Sequence, residues 1–119
     1  MISGYCFGGP VNAITILENI SVVGGSFNFI HFQQNGEMFN FPFDIKKYGS
    51  VLSLENNGVN LIYIGFEKGK IMILSFINKN VNLINEFDSN QHNVECLHYF
   101  KEFALLFSGS NKNRDIQVW

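Results

Sequence analysis

The sequence predicts an all-β fold built from three successive sheets of short antiparallel strands. Three observations carry that expectation. Only two alanines, Ala13 and Ala104, stand against 16 asparagines and an abundance of Ile, Val and Phe. Such a composition disfavours long helices and favours strands joined by turns. A stretch of valine, any residue, a small residue and an aliphatic one recurs at 11–14, 51–54 and 94–97, at spacings of 40 and 43 residues. Between the apolar runs stand turn sequences such as NNG and EKG, whose Asn and Gly suit tight reversals.

The first unit spans about 11–44. Val11-Asn12-Ala13-Ile14 opens it, one apolar run ends at Gly24, and a second contains Ile30. EMFNFPFD at 37–44 supplies a fourth strand. Pro42 has no amide hydrogen to donate, which places that strand on an edge. Phe27, Phe29, Phe32, Phe39, Phe41 and Phe43 mostly alternate, as core residues of strands with one buried face do.

The second unit spans about 51–88, with strands near 51–55, 60–65, 70–76 and 80–88. It repeats the anchors as Val51-Leu52-Ser53-Leu54, Gly65 and Ile71, with Gly69 in a turn. The third unit spans about 94–119, with Val94-Glu95-Cys96-Leu97, Gly109, Ile116 and Trp119. Its fourth, outer strand is expected to be missing. The glycines are 41 and 44 residues apart and the isoleucines 41 and 45, so three anchors drift together. Such a period is the signature of a repeat architecture. Gly24, Gly65 and Gly109 are expected where a strand meets a turn and glycine's dihedral freedom is used. Leu54 and Leu97 are expected to face inward at equivalent positions.

The third unit, VECLHYFKEFALLFSGSNKNRDIQVW, resembles a WD repeat: valine, a small residue and leucine, then Ser-Gly-Ser, a turn, and Ile-x-Val-Trp. IYIGFEKGKIMIL in the second unit follows the same scheme. The resemblance runs from Val11 to Trp119 and departs from the family at known points. The Gly-His that usually precedes the first strand is absent, and His92 lies only two residues before Val94. Lys68 replaces the turn aspartate of the second unit, and Asp115 adjoins Ile116. The second unit also resembles the repeats of bacterial sensor propellers, but the Trp119 ending favours the WD class. The resemblance implies blades of a β-propeller, three in number, with the ring not closed.

Composition excludes several functions. A net charge of −2 and a longest basic run of Lys46-Lys47 do not make a phosphate-binding surface, so no nucleic acid is expected. No apolar stretch reaches 18 residues, so no spanning helix and no membrane partner are expected. MISGYCFGGP is not a secretory signal. An intracellular protein, cytoplasmic or nuclear, is therefore expected, with Cys6 and Cys96 as buried thiols.

No catalytic, cofactor-binding or metal-binding residue is expected. His31, His92 and His98 lack ligand spacing, and His98 reads as a half-buried, hydrogen-bonded residue of a first strand. FGGP and VVGGS lack the phosphate-loop pattern, and FSGS is not Gly-x-Ser-x-Gly. Glu18, Glu37, Glu55, Glu67, Glu86 and Glu102 read as solvated residues in or near turns.

The resemblance implies an interaction scaffold that docks other proteins or peptides and does no chemistry itself. It also implies a fragment of a larger propeller, partnered by the remainder of that propeller or by self-association through open ends. Ile116, Val118 and Trp119 lie on an edge of the kind that recruits another chain. A ligand-binding or enzymatic propeller, or a fragment without independent function, are the alternatives.

Overall fold

The computed structural model describes residues 7–112 and 115–119. Cys6 and part of the polar turn before Asp115 lie outside the described residues. Three antiparallel sheets follow one another along the chain. The first has the order β1 (Val11–Leu17), β2 (Ile20–Gly25), β3 (Phe29–Gln34) and β4 (Glu37–Pro42). The second is β5 (Val51–Asn56), β6 (Leu61–Phe66), β7 (Lys70–Ile77) and β8 (Asn80–Asp88). The third has three strands, β9 (Cys96–Phe100), β10 (Leu105–Gly109) and β11 (Ile116–Val118), with β10 in the middle. Pro42 closes the edge strand β4 opposite Phe29. The all-β class follows directly.

Local chemistry makes the reversals. Between β5 and β6 the Asn57 side chain accepts from the amides of Val59, Asn60 and Leu61, at 3.0, 2.9 and 2.9 Å, while Gly58 takes a positive φ of 80°. Such an Asx turn satisfies donors that a tight loop would otherwise strand. A one-turn helix, α1 (Ile45–Tyr48), carries the chain from β4 back to β5. Asp44 caps it by accepting from the Lys46 amide at 3.0 Å, which supplies a partner to a free helical N–H. Four residues show no helical period in a sequence, so this element was not expected.

The three sheets share one register. Ala13 pairs with Gly24, Ser53 with Gly65 and Cys96 with Gly109. The first two sheets also break register at the same place, between Val11 and Ala13 and between Val51 and Ser53. Because strand side chains alternate, a shared register gives each sheet one face toward the sheet before it and one toward the sheet after it. Leu17, Val22, Ile30 and Phe32 of the first sheet meet Ile62, Ile64, Leu74 and Phe76 of the second in one buried cluster. Phe32 and Phe76 stack there at 5.3 Å. Tyr63 and Ile71, on the opposite face of the second sheet, meet Val94 and Leu106 in another. Leu54 and Leu97 pack on these clusters while remaining partly exposed.

The glycines of this register differ from their expected role. Gly24 and Gly65 stand one residue before the ends of β2 and β6, and Gly109 ends β10, but none has a positive φ. Their need is for space. A Cβ on Gly24 would lie 2.6 Å from a Val51 methyl, and one on Gly65 would lie 2.5 Å from a Val94 methyl. Each valine is fully buried against the glycine of the preceding sheet. Gly69 is different, with φ of 90° in the β6–β7 turn.

Two further expectations are corrected. Cys96 is exposed rather than buried, because it sits on the outward face of the third sheet. The His98 side chain is 63% exposed, for the same reason. In the first sheet Val11 and Ile14 are also exposed.

Candidate functional site

The outward face of the third sheet is built by two cross-strand rows. Cys96, Gly109 and Ile116 form one, and His98, Phe107 and Val118 the other. These positions correspond to those with which the first two sheets cover their successors. Here Ile116 is 70% exposed and Val118 51%. Phe100 extends the face at 5.1 Å from Phe107, and the His98 ring meets Phe100 at 4.5 Å. Two shallow clefts result. One of about 580 Å³ is lined by Glu95, Cys96, Gly109, Asn111, Asp115 and Ile116, among others. The other, of about 260 Å³, is lined by Leu97, His98, Phe100, Phe107 and Ile116, among others. An exposed apolar surface with a polar rim marks an interaction site more often than an accident of packing.

Behind this face lies a hydrogen-bonded chain. Trp119 Nε1 donates to Ser108 Oγ at 3.0 Å, and Ser108 Oγ donates to Gln91 Oε1 at 2.9 Å. Gln91 Nε2 then donates to Asp115 Oδ1 at 3.3 Å and to the Asp115 carbonyl at 3.4 Å. Gln91 and Ser108 are both buried, so their partners offset the loss of water. The Trp119 ring rests 4.6 Å from Phe87 of the second sheet, and its backbone pairs with Leu106 in both directions. The connection from β8 to β9 is held in the same way. Ser89 Oγ donates to the Gly69 carbonyl at 2.6 Å, and Asn93 Nδ2 donates to Asn111 Oδ1 at 2.9 Å.

In the sequence Ser108 stands out only as part of Ser-Gly-Ser, and Gln91 belongs to no motif. The signal was spacing. Gln91 lies three residues before Val94, as Tyr48 lies three before Val51, and both are buried. At Tyr48 the hydroxyl donates to the Glu86 carboxylate. That bond, then burial and the nearby charges of Glu86 and Asp44, push the Tyr48 hydroxyl up to about 12. Burial, followed by Tyr99 and Glu55, also raises Tyr63. Glu55 accepts from the Tyr99 amide at 3.2 Å and lies 3.6 Å from His98 Nδ1. Glu55 and Glu86 are thus partnered residues rather than merely solvated ones.

The remaining repeat positions lie as follows. Val11, Ala13, Ile14 and Gly24 belong to the first sheet; Val51, Ser53, Leu54, Gly65 and Ile71 to the second; Cys96, Leu97, Gly109 and Ile116 to the third. Val94 and Trp119 flank the third sheet, and Gly69 turns the second. The structure brings together the first-strand and glycine positions of neighbouring sheets. It leaves Val11 and Ile14 on one open face and Gly109 and Ile116 on another. Among the described residues, no three His, Cys, Asp or Glu side chains gather as a metal site would need. Among the same residues no helix is long and apolar enough to cross a membrane.

No family model matches this chain, and no curated protein matches it. Solved structures do. The chain is similar to the computationally designed Ika4 protein at 16% identity and a TM-score of 0.50, over 100% of this chain and 94% of that one. The computationally designed Ika8 protein aligns at 16% identity and a TM-score of 0.46, over 92% of this chain and 45% of that chain. At these identities the first likeness speaks to the fold alone.

Proposed function

We propose that the chain is a protein-docking scaffold made of propeller-type blades, similar to WD repeats, and that the open face of its third sheet is the docking surface. The observation that carries this reading is the exposure of Phe100, Ile116 and Val118 around the half-buried Phe107, on a face whose counterparts in the other two sheets are covered. The blade reading is supported by the common register of the three sheets and by the stacking of each sheet on the next. The WD reading draws support from the bond of Trp119 to Ser108, two residues the resemblance singles out. Gln91 stands beside them, where the family's histidine is absent.

A photo-crosslinking amino acid placed at position 107, with position 84 on the outer strand β8 as control, tests this in extract from the native source. Capture of a protein through position 107 and not through position 84 is the expected result. Equal capture at both positions, or none at 107, argues against a docking face.

A further inference from the structure

We infer that the open face of the third sheet takes the first sheet of a second copy of this chain, so that two copies close head to tail into one ring of six sheets. The inference rests on the docking reading above and names its partner. It is carried by a junction that the chain already makes twice. At both junctions a valine that opens one unit fills the space above a glycine of the unit before it, Val51 on Gly24 and Val94 on Gly65. At both, the carbonyl of that valine accepts from a side chain of the preceding unit's first strand. Asn12 Nδ2 donates to Val51 at 2.9 Å, and Ser53 Oγ donates to Val94 at 2.9 Å. At both, the leucine three residues on, Leu54 or Leu97, packs against the preceding sheet.

Each half of this junction also occurs once without its counterpart. A Cβ on Gly109 would meet, among the described residues, only the Cys96 sulfur at 2.8 Å, so no valine fills the space taken by one elsewhere, and the glycine, itself buried, lines both clefts of the face. The first sheet carries the matching insert, Val11 and Ile14, residues that are 44% and 61% exposed. Phe7 lies over Phe27, Phe29 and His31, whereas Val11, Ile14 and Ile16 stay open. The open face is thus continuous in register and chemistry with two formed interfaces, and the same molecule bears the surface that fits it. Such a heterologous contact generates a ring if the rotation closes. Two copies give six sheets, within the roughly four to eight blades that closed propellers contain.

Light scattering coupled to size exclusion tests this on the 119-residue chain at about tens of micromolar, a range in which exposed apolar surfaces associate. The expected mass is twice 13.6 kDa. Gly109→Val closes the socket from one side and Ile14→Glu charges the insert from the other. Each variant is expected to be monomeric with an unchanged β-sheet circular dichroism spectrum. The two variants mixed should form a one-to-one pair by native mass spectrometry, because one intact junction remains between them. Ile84→Glu, on an exposed residue of the outer strand, should leave the dimer intact. A monomeric parent chain, oligomers larger than two, variants that fail to pair, or a dimer lost equally in Ile84→Glu would each overturn the inference. A monomer from which position 107 still captures a different protein would overturn the second copy alone. Capture of nothing at 107, this chain included, would remove the docking reading as well.

Discussion

The junction between the first and second sheets and the one between the second and third use the same anchor and different fillings. Thirteen buried residues, nearly all aliphatic or aromatic, make the first. Among the described residues, four buried apolar side chains make the second, and the polar chain from Trp119 through Ser108 and Gln91 to Asp115 lies beside them. The valine on its glycine is common to both. Register and close backbone approach therefore define the unit, while the space around them accepts an oily or a hydrogen-bonded filling. The polar filling has a local consequence. β11 is only three residues long, and Trp119 ties its end to Ser108 and Phe87, which holds a short edge strand in place beside the open face.

The most severe way to break the comparison is to close the occupied sockets. Gly24→Val and Gly65→Val must each displace a fully buried valine, and the second must also move the Ser53 hydroxyl, which lies 2.2 Å from the added Cβ. Each should cost about 3 kcal/mol of stability, the upper part of the usual overpacking range. Chemical denaturation at fixed protein concentration measures it, and equal tolerance of valine at both positions would show that the sockets are not tight.

The next effect separates the two fillings. Ser108→Ala removes a group that both accepts from Trp119 and donates to Gln91, leaving the buried Gln91 carbonyl oxygen and the part-buried Trp119 N–H short of a partner. A loss of about 1–3 kcal/mol is expected. Ile64→Val, at the corresponding register position of the oily junction, should cost about 1 kcal/mol. Urea unfolding of the two variants orders them, and the reverse order would contradict the assignment.

The smallest effect is alkaline. The folded Tyr48 hydroxyl titrates at about 12 against 10.0 for an ordinary tyrosine. The unfolded chain therefore loses this proton first as pH rises. The stabilisation is complete below pH 10 and is lost as pH climbs toward about 12. Unfolding midpoints recorded from pH 9 upward should fall more steeply in the parent chain than in Tyr48→Phe. Parallel curves would remove the Tyr48–Glu86 bond as the cause.

Much of this architecture was legible because strand period and turn chemistry are local. Asn57, Gly58 and Gly69 marked reversals by their own side-chain and backbone preferences, and the valine and glycine anchors marked the repeat. What was not legible depended on neighbours distant in sequence. Gly24 and Gly65 looked like turn residues because the valines that require their small size lie 27 and 29 positions further on. Gln91 and Glu86 gained partners 17 and 38 residues away. Cys96 was expected to be buried and His98 half-buried, and their exposure depends on what packs against the outward face of their sheet, which neighbouring residues in the chain do not encode.

Nuclear Overhauser spectroscopy on the isotope-labelled chain tests the shared junction most directly. Strong cross-peaks are expected from the Gly24 Hα protons to the Val51 methyls and from the Gly65 Hα protons to the Val94 methyls, since a side chain begun at either glycine would lie within 2.6 Å of those methyl carbons. Both pairs should appear together and with similar intensity. Absence of either pair in the folded chain would contradict the claim that one valine-on-glycine junction is repeated between successive sheets.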